Sequence, residues 1–133
     1  MNNLLEIMLN RRSIRKYTDE SISDDKLELI MNAGMAAPRG RGKDSVELIL
    51  VRDRASLEAL SHCRPAGPGM LAGADACIVV IGNENESDVW TEDCCIAMTQ
   101  MHLMADSLGV GSCWVQGRLR PSKEEGRTAE DVV

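Results

Sequence analysis

Phenylalanine is absent from this chain, and Tyr17, Trp90 and Trp114 are its only aromatic residues. The core must therefore be filled by Leu, Ile, Val and eight Met. Methionine fits irregular gaps but specifies a unique packing weakly, so a protomer of this composition gains by sharing its core with a second copy. Long apolar runs are missing as well; no stretch approaches the ~20 residues that a membrane-spanning helix needs. The N-terminal residues 1–6 lack the charged start, apolar run and small-residue cleavage site of a secretory leader. Cys63, Cys77, Cys94, Cys95 and Cys113 make an odd number without the spacing of a disulfide framework. The expected location is the cytoplasm, with no membrane partner.

Metal-ligand patterns are also lacking. His62 adjoins Cys63, and Cys94 adjoins Cys95, but neither makes the spaced pairs of a zinc site, so no metal is expected. His102 lies on an apolar stretch and reads as a core or interface histidine. Cys113 has no visible partner base and reads as a structural thiol. A broad basic face is missing too: the net charge is -6, which argues against a nucleic-acid partner.

Against that acidic balance, the positive charge is bunched. Arg11, Arg12, Arg15 and Lys16 form one window, and Arg39, Arg41 and Lys43 a second; together they hold seven of the 15 Lys and Arg, with no acid inside either window. Two compact positive sites suit a small anionic ligand better than a polymer. A guanidinium matches a phosphate at two points, and Ser13 can add a hydroxyl or a backbone N–H. Taken alone, residues 11–15 are better read as a solvated basic turn after a short helix.

The elements follow from periodicity and capping. Residues 3–10 read as a helix with Leu4, Leu5, Met8 and Leu9 on one side. Ser23 caps a helix over 24–35, which Ala36, Ala37 and Pro38 end. Residues 39–44 read as a flexible basic loop. Residues 46–51 and 76–81 read as strands apolar enough to be buried on both faces, separated by a helix over 55–63 and a Pro/Gly-rich loop over 64–73. The longest helix, 90–108, starts with Glu92 and Asp93 in its first turn, where they complement the helix dipole. It is apolar nearly all round, as befits a core or subunit interface, and Gly109 ends it. A third strand is predicted over 112–116, and Thr128 opens a last helix with Asp131 in a capping-box position. The order indicates one domain over 1–133, a mixed sheet flanked by helices. The pair Gly109 and Gly111 is not a dinucleotide fingerprint, because no strand precedes it and no helix follows. Gly117, at the end of the third predicted strand, is a place where bare backbone could approach a flat ligand.

Four pieces in order resemble the nitroreductase family of FMN-dependent oxidoreductases. They are the Arg-Arg-Ser-x-Arg turn (Arg11, Arg12, Ser13, Arg15), the Ala-Ala-Pro end of the second helix (Ala36, Ala37, Pro38) with its polar loop, the Trp-x-Glu-Asp opening of the long helix (Trp90, Glu92, Asp93), and the Leu-Gly-x-Gly-Ser-Cys-Trp segment (Leu108 to Trp114). The resemblance covers essentially the whole chain. It implies an α+β fold in an intertwined homodimer, built on the long helix, with two FMN sites at the subunit interface. Arg11, Ser13, Arg15 and, secondarily, Arg12 would bind the FMN phosphate and ribityl oxygens. Arg39, Gly40 and Arg41 would line the pyrimidine side of the flavin, and Gln116 and Gly117 would lie against the ring near its reactive nitrogen, through the Gly117 N–H. No side chain is named as catalytic. The implied activity is transfer of electrons from NADH or NADPH to nitro compounds, quinones or a similar small acceptor in a ping-pong cycle. The alternative is a non-catalytic homodimer that holds flavin or another anion. The loop after Pro38 departs from the family pattern by lacking an Asn and a Gln-Pro-Trp. The family pattern also continues beyond Val133 with a further strand and a tail, so the C-terminal part of the fold is expected to be absent here.

Overall fold

The computed structural model describes residues 3–133. Helix α1 (Asn3–Asn10) is followed by an extended stretch and then α2 (Asp24–Met35). The Ser23 side chain accepts the Lys26 N–H and starts α2 at the residue the sequence indicates. Strand β1 (Val46–Val51) leads to α3 (Arg54–Leu60), which Asp53 caps by accepting the Ser56 N–H. A 3₁₀ segment, Pro68–Gly73, precedes β2 (Cys77–Gly82). The chain then forms the 18-residue α4 (Trp90–Ser107) and ends in α5 (Ala129–Val132). Thr128 and Asp131 make the reciprocal capping box at the start of α5.

The two strands pair antiparallel, from Val46 opposite Gly82 to Val51 opposite Cys77. Side chains alternate between the faces of a strand. One face of this pair presents Val46, Leu48, Ile78 and Val80 to α2 and α4, where Ile30, Ala37, Ala97, Met101 and Ala105 complete the core. The other face carries Glu47, Ile49 and Ile81, all exposed. The expectation of burial on both faces is therefore corrected: within one chain, α2 and α4 cover a single face. The third expected strand is also corrected. Residues 112–116 do not form a strand and contribute one parallel bridge, Ser13 to Ser112, in which the Ile14 N–H donates to the Ser112 carbonyl at 2.9 Å. A single bridge supplies no continuing ladder of hydrogen bonds for the segment to extend.

Charged side chains tie the helices to the sheet ends. Arg52, just after β1, donates to Asp24 at 2.8 Å, to Asp75 at 2.9 Å and to the Ile22 carbonyl at 3.0 Å. Asp75 in turn accepts the Ile22 N–H. The start of α2 is thereby fixed over the end of the strand pair. Arg54 donates to the carbonyls of Ala72 and Ala74 and fastens α3 to the 3₁₀ segment.

Two glycines mark the closest approaches. A Cβ on Gly34 would stand 2.8 Å from Met101 Cγ and Sδ, and one on Gly82 would stand 2.3 Å from Cε3 of the Trp90 ring. Met101 can change rotamer, whereas a packed indole cannot yield. Alanine at Gly34 also gains helix propensity of about 1 kcal/mol. Gly82→Ala should therefore destabilise the protein by about 2 kcal/mol and Gly34→Ala by clearly less, as read by urea denaturation. The reverse order would contradict this packing.

Candidate functional site

Helix α4 organises the candidate ligand groups. The N-terminal basic window lies at its C-terminal half. Arg11 Nη1 reaches His102 Nε2 at 2.9 Å, and His102 Nδ1 is hydrogen-bonded to the Ser112 hydroxyl. Because a guanidinium only donates, Nε2 is the acceptor and Nδ1 carries the proton. Burial, and next the nearby Arg11 charge, push the His102 pKa below its ordinary value, consistent with a neutral ring. Arg12 turns back and donates to the carbonyls of Leu9 and Arg11, finishing α1. Ser13 and Arg15 are exposed, beside the bridge to Ser112.

The second basic window lies at the N-terminus of α4. Residues Gly40–Gly42 form a 3₁₀ turn, with Arg41 (φ 56°) and Gly42 (φ 64°) in the left-handed region. Its anchor is Asp93, whose buried carboxylate accepts the Gly40 N–H at 2.9 Å and the Ser45 hydroxyl at 2.6 Å. The Ser45 hydrogen bond first, and then that of Gly40, hold the Asp93 pKa below the usual carboxylate range. Gly40 also has Val89 against it, 2.4 Å from where a Cβ would sit. Arg39 pairs with Asp44 at 2.8 Å, and Arg41 is exposed. The flexible loop expected over 39–44 is thus corrected to a turn anchored by Asp93.

The segment after α4 runs back along the helix. Ser112 lies beside His102, while Arg118 sits over the Trp90 ring, 5.3 Å from its centroid, at the helix start. Gln116 and Gly117 lie between these points. The Gln116 side chain accepts from Trp114 Nε1 at 3.0 Å and donates to the Arg118 carbonyl at 2.9 Å. Its own carbonyl accepts from Arg64 Nη1 at 2.9 Å. No atom of the described residues accepts the Gly117 N–H, and open space lies where a Gly117 Cβ would be. From Ser112 to Gly117 the chain spans at most about 17 Å.

The structure therefore brings Arg11, Ser13 and Arg15 onto one strip with Gln116 and Gly117. Arg39, Gly40 and Arg41 lie at the Asp93 end of α4, away from Arg11. Asp93 and His102 are nine residues apart on α4, so they are separated by about 13 Å along the axis and about two and a half turns, and they leave opposite sides of the helix.

These groups fit FMN by their chemistry. A cluster of guanidinium and hydroxyl donors stands at one end of the strip, and an unengaged backbone N–H beside open space at the other. Comparison with known proteins decides the family. A family model described as "Putative TM nitroreductase" matches residues 3–133. The chain belongs to the nitroreductase family. A protein of Archaeoglobus fulgidus named "Putative NADH dehydrogenase/NAD(P)H nitroreductase" is 39% identical over 142 residues, covering 100% of this chain and 81% of that protein. The crystal structure of an FMN-dependent nitroreductase from Clostridium difficile is 38% identical and superposes with a TM-score of 0.92 over 96% of this chain and 74% of that one. A nitroreductase-type chain from Desulfovibrio desulfuricans, described as "in complex with fmn", is 30% identical with a TM-score of 0.77, over 87% of this chain and 69% of that one. The α+β reading of the fold stands with these neighbours, and the family is one of oxidoreductases.

Sequence reasoning named Arg11 but not the residue that holds it. It placed Asp93 only in a dipole role and a motif, and gave Arg64 no role.

Two predictions follow from the anchors. Asp93→Asn removes charge-assisted acceptance and should cost about 2 kcal/mol at pH 7. A depressed carboxylate stabilises above the unfolded value near 4 and loses that contribution as pH falls through its folded pKa. The gap between wild type and Asp93→Asn, measured by urea denaturation, should therefore narrow below about pH 4; a gap unchanged by acid would contradict it. For His102 the lowered pKa means that the unfolded chain takes up the proton first as pH falls below about 6.5. Wild-type thermal stability should decline below that pH through this group until the folded pKa is passed, and His102→Gln should flatten that part of the profile. Parallel Tm profiles would count against the neutral bridge.

Proposed function

We propose that this chain is an FMN-dependent oxidoreductase that draws electrons from NADH or NADPH and delivers them to nitro compounds, quinones or a similar small acceptor. The observation that carries the reading is the strip along α4. Its length suits a phosphate, a ribityl chain and a tricyclic ring laid end to end. Arg11, Ser13 and Arg15 would hold the phosphate and ribityl oxygens, while the Gln116–Gly117 backbone would meet the ring. Arg12, which closes α1, is left out of this clamp. When bound, FMN supplies the redox chemistry, accepting a hydride and passing electrons on in a ping-pong cycle.

The chain's own residues orient and tune. His102 keeps Arg11 from swinging into solvent, and its neutral Nδ1–H fixes the Ser112 hydroxyl beside Ser13. An N–H aimed at the reactive end of the ring favours the charge that develops there on reduction.

The second basic window enters through a partner copy. Arg39, Gly40 and Arg41 are anchored on the side of α4 opposite the Arg11 anchor, and in a homodimer they would line the pyrimidine side of the ring held by the other protomer. Uncovered apolar surface supports that arrangement: Leu4, Met8 and Leu9 on α1 and Ile96 on α4 are exposed in the single chain, and no residue of α1 is buried. Apolar surface on this scale marks an interface. Among the described residues, no helix is long and apolar enough to cross a membrane.

The clamp is tested with Arg11→Ala/Arg15→Ala. FMN affinity should fall at least tenfold, on the order of 1.4 kcal/mol or more, while riboflavin affinity changes little, both read by flavin fluorescence titration. Equal losses for the two ligands would reject the phosphate role.

A further inference from the structure

We propose that Arg64 is a positioning residue for the redox reaction, one that aims and polarises the Gly117 N–H through the peptide unit joining Gln116 to Gly117. The inference rests on the reading that FMN lies against that N–H, and it adds a residue from a distant segment that does not line the strip.

The Gln116 carbonyl and the Gly117 N–H are the two ends of one planar peptide unit, and in a trans peptide they point in opposite directions. None of the peptide bonds is cis among the described residues. Arg64 Nη1 donates to the Gln116 oxygen at 2.9 Å. Holding the carbonyl on the Arg64 side therefore directs the N–H to the other side, where no protein group takes it. The bond is charge-assisted, and a donor on the carbonyl draws electron density through the amide, which strengthens its N–H as a donor.

Arg64 is itself held. The loop behind it turns at Gly67 (φ 105°), and a Cβ built there would stand 3.4 Å from Arg64 Cζ, Nη1 and Nη2. The positive φ favours glycine at this turn, and the turn lies within ordinary van der Waals reach of the guanidinium. Gln116 is pinned on both flanks by the Trp114 and Arg118 contacts. The side-chain contacts place the residue, and among the described residues Arg64 alone holds the carbonyl of its peptide unit. A preorganised donor of this kind stabilises developing charge without having to reorient at the moment of reaction.

The test compares wild type, Arg64→Met and Arg64→Lys in the full chain. The first readout needs no cofactor: the Gly117 amide of the apoprotein should shift upfield in the proton NMR spectrum of Arg64→Met, with Arg64→Lys between Met and wild type. The second is the midpoint potential of bound FMN. Arg64→Met should lose about tenfold in preference for reduced over oxidised FMN, equal to about 30 mV for a two-electron couple, with partial rescue by Lys and less than a threefold change in affinity for oxidised FMN. The Lys variant keeps the charge and stem and carries the test where Met folds poorly. A Gly117 amide that ignores substitution at Arg64, or an unchanged potential with FMN bound, overturns the proposal alone. A Gly117 amide that responds to Arg64 but not to added FMN overturns it together with the cofactor reading.

Discussion

Two polar contacts on one helix govern where the two basic windows stand. The Asp93 carboxylate, buried at the start of α4, holds the Gly40–Gly42 turn. Near the other end, the neutral ring of His102 links Arg11 to Ser112. Each is a charge-assisted hydrogen bond away from bulk water, where such bonds are strongest and their loss is most costly. The apolar row of Ala97, Met101 and Ala105 packs the helix against α2 and the sheet. Core packing fixes the helix, and the helix fixes the two basic windows.

That arrangement explains why one chain carries two positive windows without joining them. The anchors lie on opposite sides of α4, so the windows face different ways. In the proposed homodimer, a second protomer would bring one copy's Arg39–Arg41 turn to another copy's Arg11–Gly117 strip. The uncovered apolar faces of α1 and of the sheet fit the same proposal, in which a chain poor in aromatics would complete its core with a partner.

How much of this is legible in the sequence depends on the range of the interaction. The starts of α2 and α5 are readable because Ser23 and Thr128 act on residues three positions away. The bounds of α1 and β1 are readable from apolar patterning. The segment 112–116 has strand composition, but a strand also needs a partner of matching length, and here that partner offers a single bridge. The turn over 40–42 looks mobile in the sequence because its anchor, Asp93, lies 53 residues onward. The His102 bridge to Arg11 spans 91 residues. Periodicity carries no information about such pairs. The ordered motifs locate the strip because they register groups that act together, but the groups that hold them, His102 and Arg64, lie outside those motifs.

Electron transfer through a flavin held on the α4 strip is most directly tested by anaerobic titration of the full chain, loaded with FMN, against NADH and NADPH while the flavin absorption band is followed. The account predicts uptake of FMN and stoichiometric bleaching by at least one of the two nucleotides, with colour restored by a nitro compound or a quinone. A chain that takes up no FMN, or one whose bound FMN neither nucleotide bleaches, would contradict it.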